Sequence, residues 1–126
     1  DYGEALARYY ENGPARDWHH NYISAYASAH PVEDWAESWG HYLHIYDALE
    51  TAATHKLNDT DPAQMTLPER IAVWRELTVS LNELNRSLGR PDAYPFLINA
   101  AVERKLAFVD NVIRQLRTPA PGTAGH

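Results

Sequence analysis

Two glutamates and two histidines, Glu33, Glu37, His41 and His44, recur at helical spacing within one stretch of the chain. At about 100° per residue they fall within an arc of roughly 80° on a helix. Trp35, Trp39, Tyr42 and Tyr46 take the opposite side, as an aromatic stripe that would anchor the helix behind them. Imidazole and carboxylate are the ligands zinc takes when thiolates are absent, and this sequence has no cysteine. The same spacing also describes an ordinary wet face, on which Glu37 and His41 form a surface pair worth about 0.3–0.5 kcal/mol. Periodicity leaves both readings open.

Other chemistry is poorly supplied. Asn58, Asp59 and Asp61 lack the rest of an EF-hand pattern, no glycine-rich phosphate loop occurs, and no cysteine nucleophile exists. Arg70, Arg75, Arg86 and Arg90 read as solvated helix faces rather than an anion site. Four tryptophans and eight tyrosines at helical spacing read as core rather than as a ligand groove. The net charge of −6 comes without any basic run, which argues against a nucleic-acid partner. No apolar run approaches the roughly 20 residues that span a bilayer, so no membrane partner is expected. The absence of cysteine fits a reducing compartment, and a cytoplasmic location is expected.

The elements that must position these residues are helical. At 126 residues, with 44% hydrophobic and 22% charged, the chain suits one globular domain. A first helix covers about residues 1–12, with Tyr2, Leu6 and Tyr9 on one stripe, and stops at Gly13-Pro14. A shorter helical segment is expected from Asp17, as N-cap, to Ala29. The longest helix runs from about Pro31 to Ala53, with Pro31 at its first position and Glu33 and Asp34 at the positive end of its dipole. Lys56 to Met65 reads as a polar loop. Thr66-Leu67-Pro68-Glu69 is a capping box that opens a helix to Leu88, whose stripe is Trp74, Leu77, Leu81, Leu84 and Leu88. A last helix from near Asn99 carries Val102, Leu106, Val109, Ile113 and Leu116. The expectation is an all-α bundle of four to five helices over residues 1–117 with a long central helix, and a flexible, disordered tail over 118–126.

The run from Ile23 to His44, and above all His30-Pro31-Val32-Glu33-Asp34-Trp35-Ala36-Glu37-Ser38-Trp39-Gly40-His41-Tyr42-Leu43-His44, resembles the signature of a bacterial family of zinc-binding metallopeptidases. Leu81-Asn82-Glu83-Leu84-Asn85-Arg86-Ser87-Leu88-Gly89 and Lys105-Leu106-Ala107-Phe108-Val109 are similar to the same family, in the same order. The resemblance implies a zincin-like hydrolase, in which a His-Glu-x-x-His helix supplies two zinc ligands and a general base, and a later helix a third ligand. Trp35-Ala36-Glu37 matches an aromatic-Ala-Glu context for that third ligand, so the resemblance assigns the metal role to Glu37. Glu33, His41 and His44 then become residues that orient the ligand or the substrate. Tyr26 and His30 become candidates to reach a developing oxyanion. Gly40 and Val32 are mild departures from the family pattern.

One departure is larger: no His-Glu-x-x-His occurs in the 126 residues. No catalytic residue is assigned within the chain, and the missing ligands are expected upstream of Asp1. The sequence opens without a methionine inside a helical pattern, which reads as a fragment of a longer parent. The parent is expected to use zinc and to cleave peptide or protein substrates, whereas this chain alone is expected to be inactive and to bind zinc weakly or not at all. Self-association through exposed apolar surface is expected. Two alternatives stand beside this reading: a non-enzymatic helical interaction module, and an independent His/Glu metal-binding bundle.

Overall fold

A computed structural model describes residues 1–117; the expected flexible tail, 118–126, lies outside the described residues. Four α-helices and no strand are found among the described residues: α1 (Tyr2–Asn12), α2 (Pro31–Thr54), α3 (Leu67–Ser87) and α4 (Ala100–Arg117). None of them is long and apolar enough to cross a membrane.

The helix boundaries follow the punctuation in the sequence. Gly13 ends α1 at φ 81°, a left-handed value that costs glycine no steric penalty. α1 contributes no buried residue. Its Ala5, Leu6 and Tyr9 are only half-buried, and Tyr9 meets the ring of Tyr26 edge-on. α2 opens with Pro31 in its first turn, and His30 Nδ1 accepts from the Val32 N–H at 3.0 Å. The α3 capping box is complete, with Thr66 Oγ1 accepting from the Glu69 N–H and Glu69 Oε1 from the Thr66 N–H. Asn99 Oδ1 accepts from the Val102 N–H at 3.0 Å, which starts α4 where its apolar stripe begins.

The segment expected as a helix from Asp17 to Ala29 is instead two 3₁₀ turns, Trp18–His20 and Tyr26–Ala29, joined by irregular backbone. Asp17 adopts a left-handed φ of 54° and makes no side-chain cap. Serines explain part of the break, because their hydroxyls compete for backbone partners. Ser24 Oγ accepts from the Ala27 N–H, while Ser28 Oγ donates to the Ala25 carbonyl and accepts from the Ala15 N–H. The irregular path also lets Ile23 enter the core.

That core is a single cluster of Ile23, Tyr42, Ile45 and Leu49 with Leu67, Ile71 and Trp74 from α3 and Val102, Leu106 and Val109 from α4. The polar loop after α2 holds a 3₁₀ turn, Pro62–Gln64. Two stripes extend further along their helices than the core does. On α3, Trp74 is buried and Leu77 half-buried, but Leu84 and the C-cap residue Leu88 are 63% and 77% exposed. On α4, Ile113 is half-buried and Leu116 exposed.

Arg70 departs from the solvated face expected for it. It is buried, and its Nε donates to the Pro62 carbonyl at 2.8 Å. Its Nη1 donates to the Tyr42 hydroxyl at 3.1 Å and lies 3.2 Å from Asp110 Oδ1. Tyr42 in turn donates to the same Asp110 oxygen at 2.5 Å. A charged network therefore closes the end of the core where α2, α3 and α4 meet.

Candidate functional site

The first four turns of α2 and the residues just before it carry the candidates, and the structure sorts them into three environments. At the helix start, Tyr26, His30 and Glu33 lie together. Glu33 accepts from the phenol of Tyr2, and the Tyr2 ring stands edge-on to His30 with centroids 4.8 Å apart. Loss of solvent and the bond to Glu33 push the Tyr26 phenol up to about 12. The Tyr2 phenol is raised as well, first by its bond to Glu33. Both tyrosines therefore stay protonated at neutral pH and serve as donors.

One turn along, Glu37 is half-buried. Ser24 Oγ donates to its Oε1 at 2.9 Å. Among the described residues, no hydrogen bond engages its second oxygen.

His41 turns into the core rather than along the Glu37 face. It is buried, its Nδ1 is 2.8 Å from the Tyr94 hydroxyl, and its ring packs edge-on against Phe96 at 4.7 Å. Burial holds the imidazole below its ordinary value, partly offset by the Glu37 carboxylate. His44 is exposed. The expected aromatic stripe is also redistributed. Tyr42 is buried, Trp39 and Tyr46 are half-buried, and Trp35 stays 41% exposed beside Phe108. The buried centre of α2, at Ser38, Ile45 and Leu49, lies between the two expected stripes. His41 is drawn inward because it borders that centre.

Glu33, Glu37 and His44 thus recur along one side of α2 without converging, and His41 is turned away from them into the core. Among the described residues no group of three or more His, Cys, Asp or Glu side chains could hold a metal ion. A catalytic zinc takes three protein ligands, so the described residues do not form a complete zinc site. What they do fit is one carboxylate ligand. Glu37 has one oxygen fixed by a neighbour and the other unengaged, and ligating carboxylates are ordinarily held by outer hydrogen bonds in this way.

Ser24, Tyr2 and the Arg70–Asp110 pair were not singled out from the sequence. For Arg70 the signal was present, since on a helical wheel it falls within about 60° of Leu67, Trp74 and Leu77. Ser24 carried a weaker one, a serine three residues before an alanine in a stretch of small side chains.

Comparison with known proteins adds the family. The chain is 42% identical over 126 aligned positions to an uncharacterized protein of Mycobacterium tuberculosis, covering 92% of this chain and 36% of that protein. An uncharacterized protein of Mycobacterium bovis matches to the same extent. The chain thus spans about a third of the length of these curated relatives. No solved structure gives a significant match. A family model matches residues 1–112, nearly all of the described chain, and the chain belongs to the family described as "Putative zinc-binding metallo-peptidase".

Proposed function

We propose that this chain is the helical C-terminal portion of a zinc-dependent peptide hydrolase, and that Glu37 is its one direct zinc ligand. The observation that carries the proposal is the Glu37 carboxylate, with Oε1 fixed by Ser24 and Oε2 unengaged among the described residues. Family membership supports zinc as the metal. The relatives' greater length supports placing the remaining ligands and the general base outside these 126 residues. Zinc in such a site polarises a carbonyl and lowers the pKa of water, the chemistry that peptide-bond hydrolysis needs. The chain's own part is to present one carboxylate oxygen, with the protonated phenols of Tyr26 and Tyr2 and the carboxylate of Glu33 one turn away. By itself the chain is inactive and holds zinc weakly.

The test uses the full-length polypeptide that carries this sequence. Glu37→Gln keeps the side-chain volume but removes the anionic oxygen, so zinc content and peptidase activity should fall together while helicity is unchanged. Glu33→Gln is the control, with a loss of about 10–100-fold at most. Unchanged zinc in the Glu37 variant removes the assignment. Loss of zinc in a Glu33 or His41 variant instead would move the ligand one turn along the same helix.

A second reading, a helical interaction module without catalysis, draws on the exposed Leu81 and Leu84 of α3 and Leu88 at its C-cap. Under it, the full-length polypeptide would bind no stoichiometric zinc.

A further inference from the structure

We infer that Ser24 is a positioning residue for Glu37: its hydroxyl fixes Oε1 and thereby presents Oε2 to the metal. This rests on the reading of Glu37 as a zinc ligand. Ser24 is buried at 7% exposure, and its oxygen accepts from the Ala27 N–H at 3.2 Å. That bond occupies a lone pair and leaves the hydroxyl hydrogen for Glu37 Oε1, 2.9 Å away. The polarity of the contact is therefore set by the turn that Ser24 opens.

The backbone around Ser24 is held from several sides, although it belongs to no α-helix. Ile23, the residue before it, is 2% exposed in the core, and Ala27 is fully buried. Asn99, at the start of α4, donates from Nδ2 to the carbonyls of His19 and His20 at 3.0 and 3.1 Å. Lys105 of α4 donates to the Asn21 carbonyl and pairs with Asp34 of α2 at 2.8 Å. The segment carrying Ser24 is thus tied to α4 and to the core before it meets Glu37. A glutamate side chain has three rotatable bonds and would otherwise sample several rotamers on a helix surface. Fixing one oxygen to an immobile donor removes that freedom before a metal arrives, which is how a ligand's outer shell raises its affinity.

The experiment measures zinc affinity by chelator competition in the full-length polypeptide. It compares Ser24→Ala, the near-isosteric pair Ser24→Thr and Ser24→Val, and Glu37→Gln. Ser24→Ala and Ser24→Val should weaken zinc by about 10–100-fold, while Ser24→Thr, which keeps a hydroxyl, restores most of it. A merely structural serine would lower the melting temperature and leave the zinc affinity of the folded protein unchanged. Ser24→Ala and Ser24→Val both also remove the acceptor of the Ala27 N–H, so a loss of zinc affinity counts only where helicity and melting temperature match those of Ser24→Thr. Zinc loss in Glu37→Gln without loss in Ser24→Ala or Ser24→Val overturns the role of Ser24 alone. Undiminished zinc in Glu37→Gln overturns the ligand assignment and this inference with it. A second readout needs no metal: the side-chain carboxyl ¹³C resonance of Glu37 should move in Ser24→Val relative to Ser24→Thr, and coincident resonances overturn the inference.

Discussion

Replacing Asp110 by alanine should cost more stability than any other single change to a charged residue in this chain. Its carboxylate takes the Tyr42 hydroxyl at 2.5 Å and Arg70 Nη1 at 3.2 Å on one oxygen, and Arg114 Nε at 2.9 Å on the other. The side chains of Arg70 and Asp110 are only 10% and 9% exposed. Without Asp110, Arg70 keeps the Pro62 carbonyl, the Tyr42 hydroxyl and the face of Tyr46, 4.9 Å away, but has no buried anion. Removing one partner of a buried ion pair costs about 3–5 kcal/mol, against a total stability of about 5–15 kcal/mol for a domain. Arg114 is 59% exposed, so Arg114→Ala should cost only about 0–1 kcal/mol. The double variant Arg70→Met/Asp110→Leu should recover much of the loss, since apolar replacement of a buried pair is often neutral or favourable. Urea unfolding followed by helical circular dichroism reads all of these as midpoint shifts. The reasoning is refuted if Asp110→Ala costs less than about 1 kcal/mol, or no more than Arg114→Ala.

The His41 imidazole, held below its ordinary 6.5 by burial, should make stability pH-dependent. The unfolded chain takes up that proton first, so stability is complete above about pH 6.5 and falls as pH drops towards the folded value. Urea midpoints should decline on acidification in the wild type and less in His41→Phe; parallel declines would remove His41 as the cause. The exposed Leu84 and Leu88 should drive self-association of the isolated chain. Sedimentation should show concentration-dependent oligomers that Leu84→Glu/Leu88→Glu returns to monomer, and a wild-type monomer at all concentrations would count against that.

The helices were legible because each start and stop has a local chemical cause. Gly13, Pro31, the Thr66–Glu69 box and Asn99 act within one turn of themselves, so neighbouring residues suffice to read them. Depth of burial has no such local cause. The leucine stripe of α3 states which face is apolar, yet whether Leu84 has a cover depends on where α2 and α4 end. His41 and Arg70 were misplaced for the converse reason. Each borders an apolar stripe, and its partners, Tyr94 and Asp110, are far away in sequence. The break at 17–29 was missed because serine side chains replace helix hydrogen bonds there, which a pattern of hydrophobicity does not register. For the candidate site, Glu37 was marked by its neighbours in sequence. Ser24, thirteen residues earlier, becomes visible only when the irregular segment is seen folded against α2.

The fold is closed by its last described helix, and this bears on how the protein is made. α4 brings Val102, Leu106 and Val109 to the core and Asp110 to Arg70. On the ribosome, a chain whose α2 and α3 have emerged still carries a cation without its anion and an apolar face without its lid. At about 5–20 residues per second, synthesis takes roughly one to five seconds to pass from the end of α3 to Asp110. During that interval the uncovered apolar face is open to non-native association. A stall in translation before Asp110 would therefore leave a product that is sticky and degradable rather than a smaller native domain.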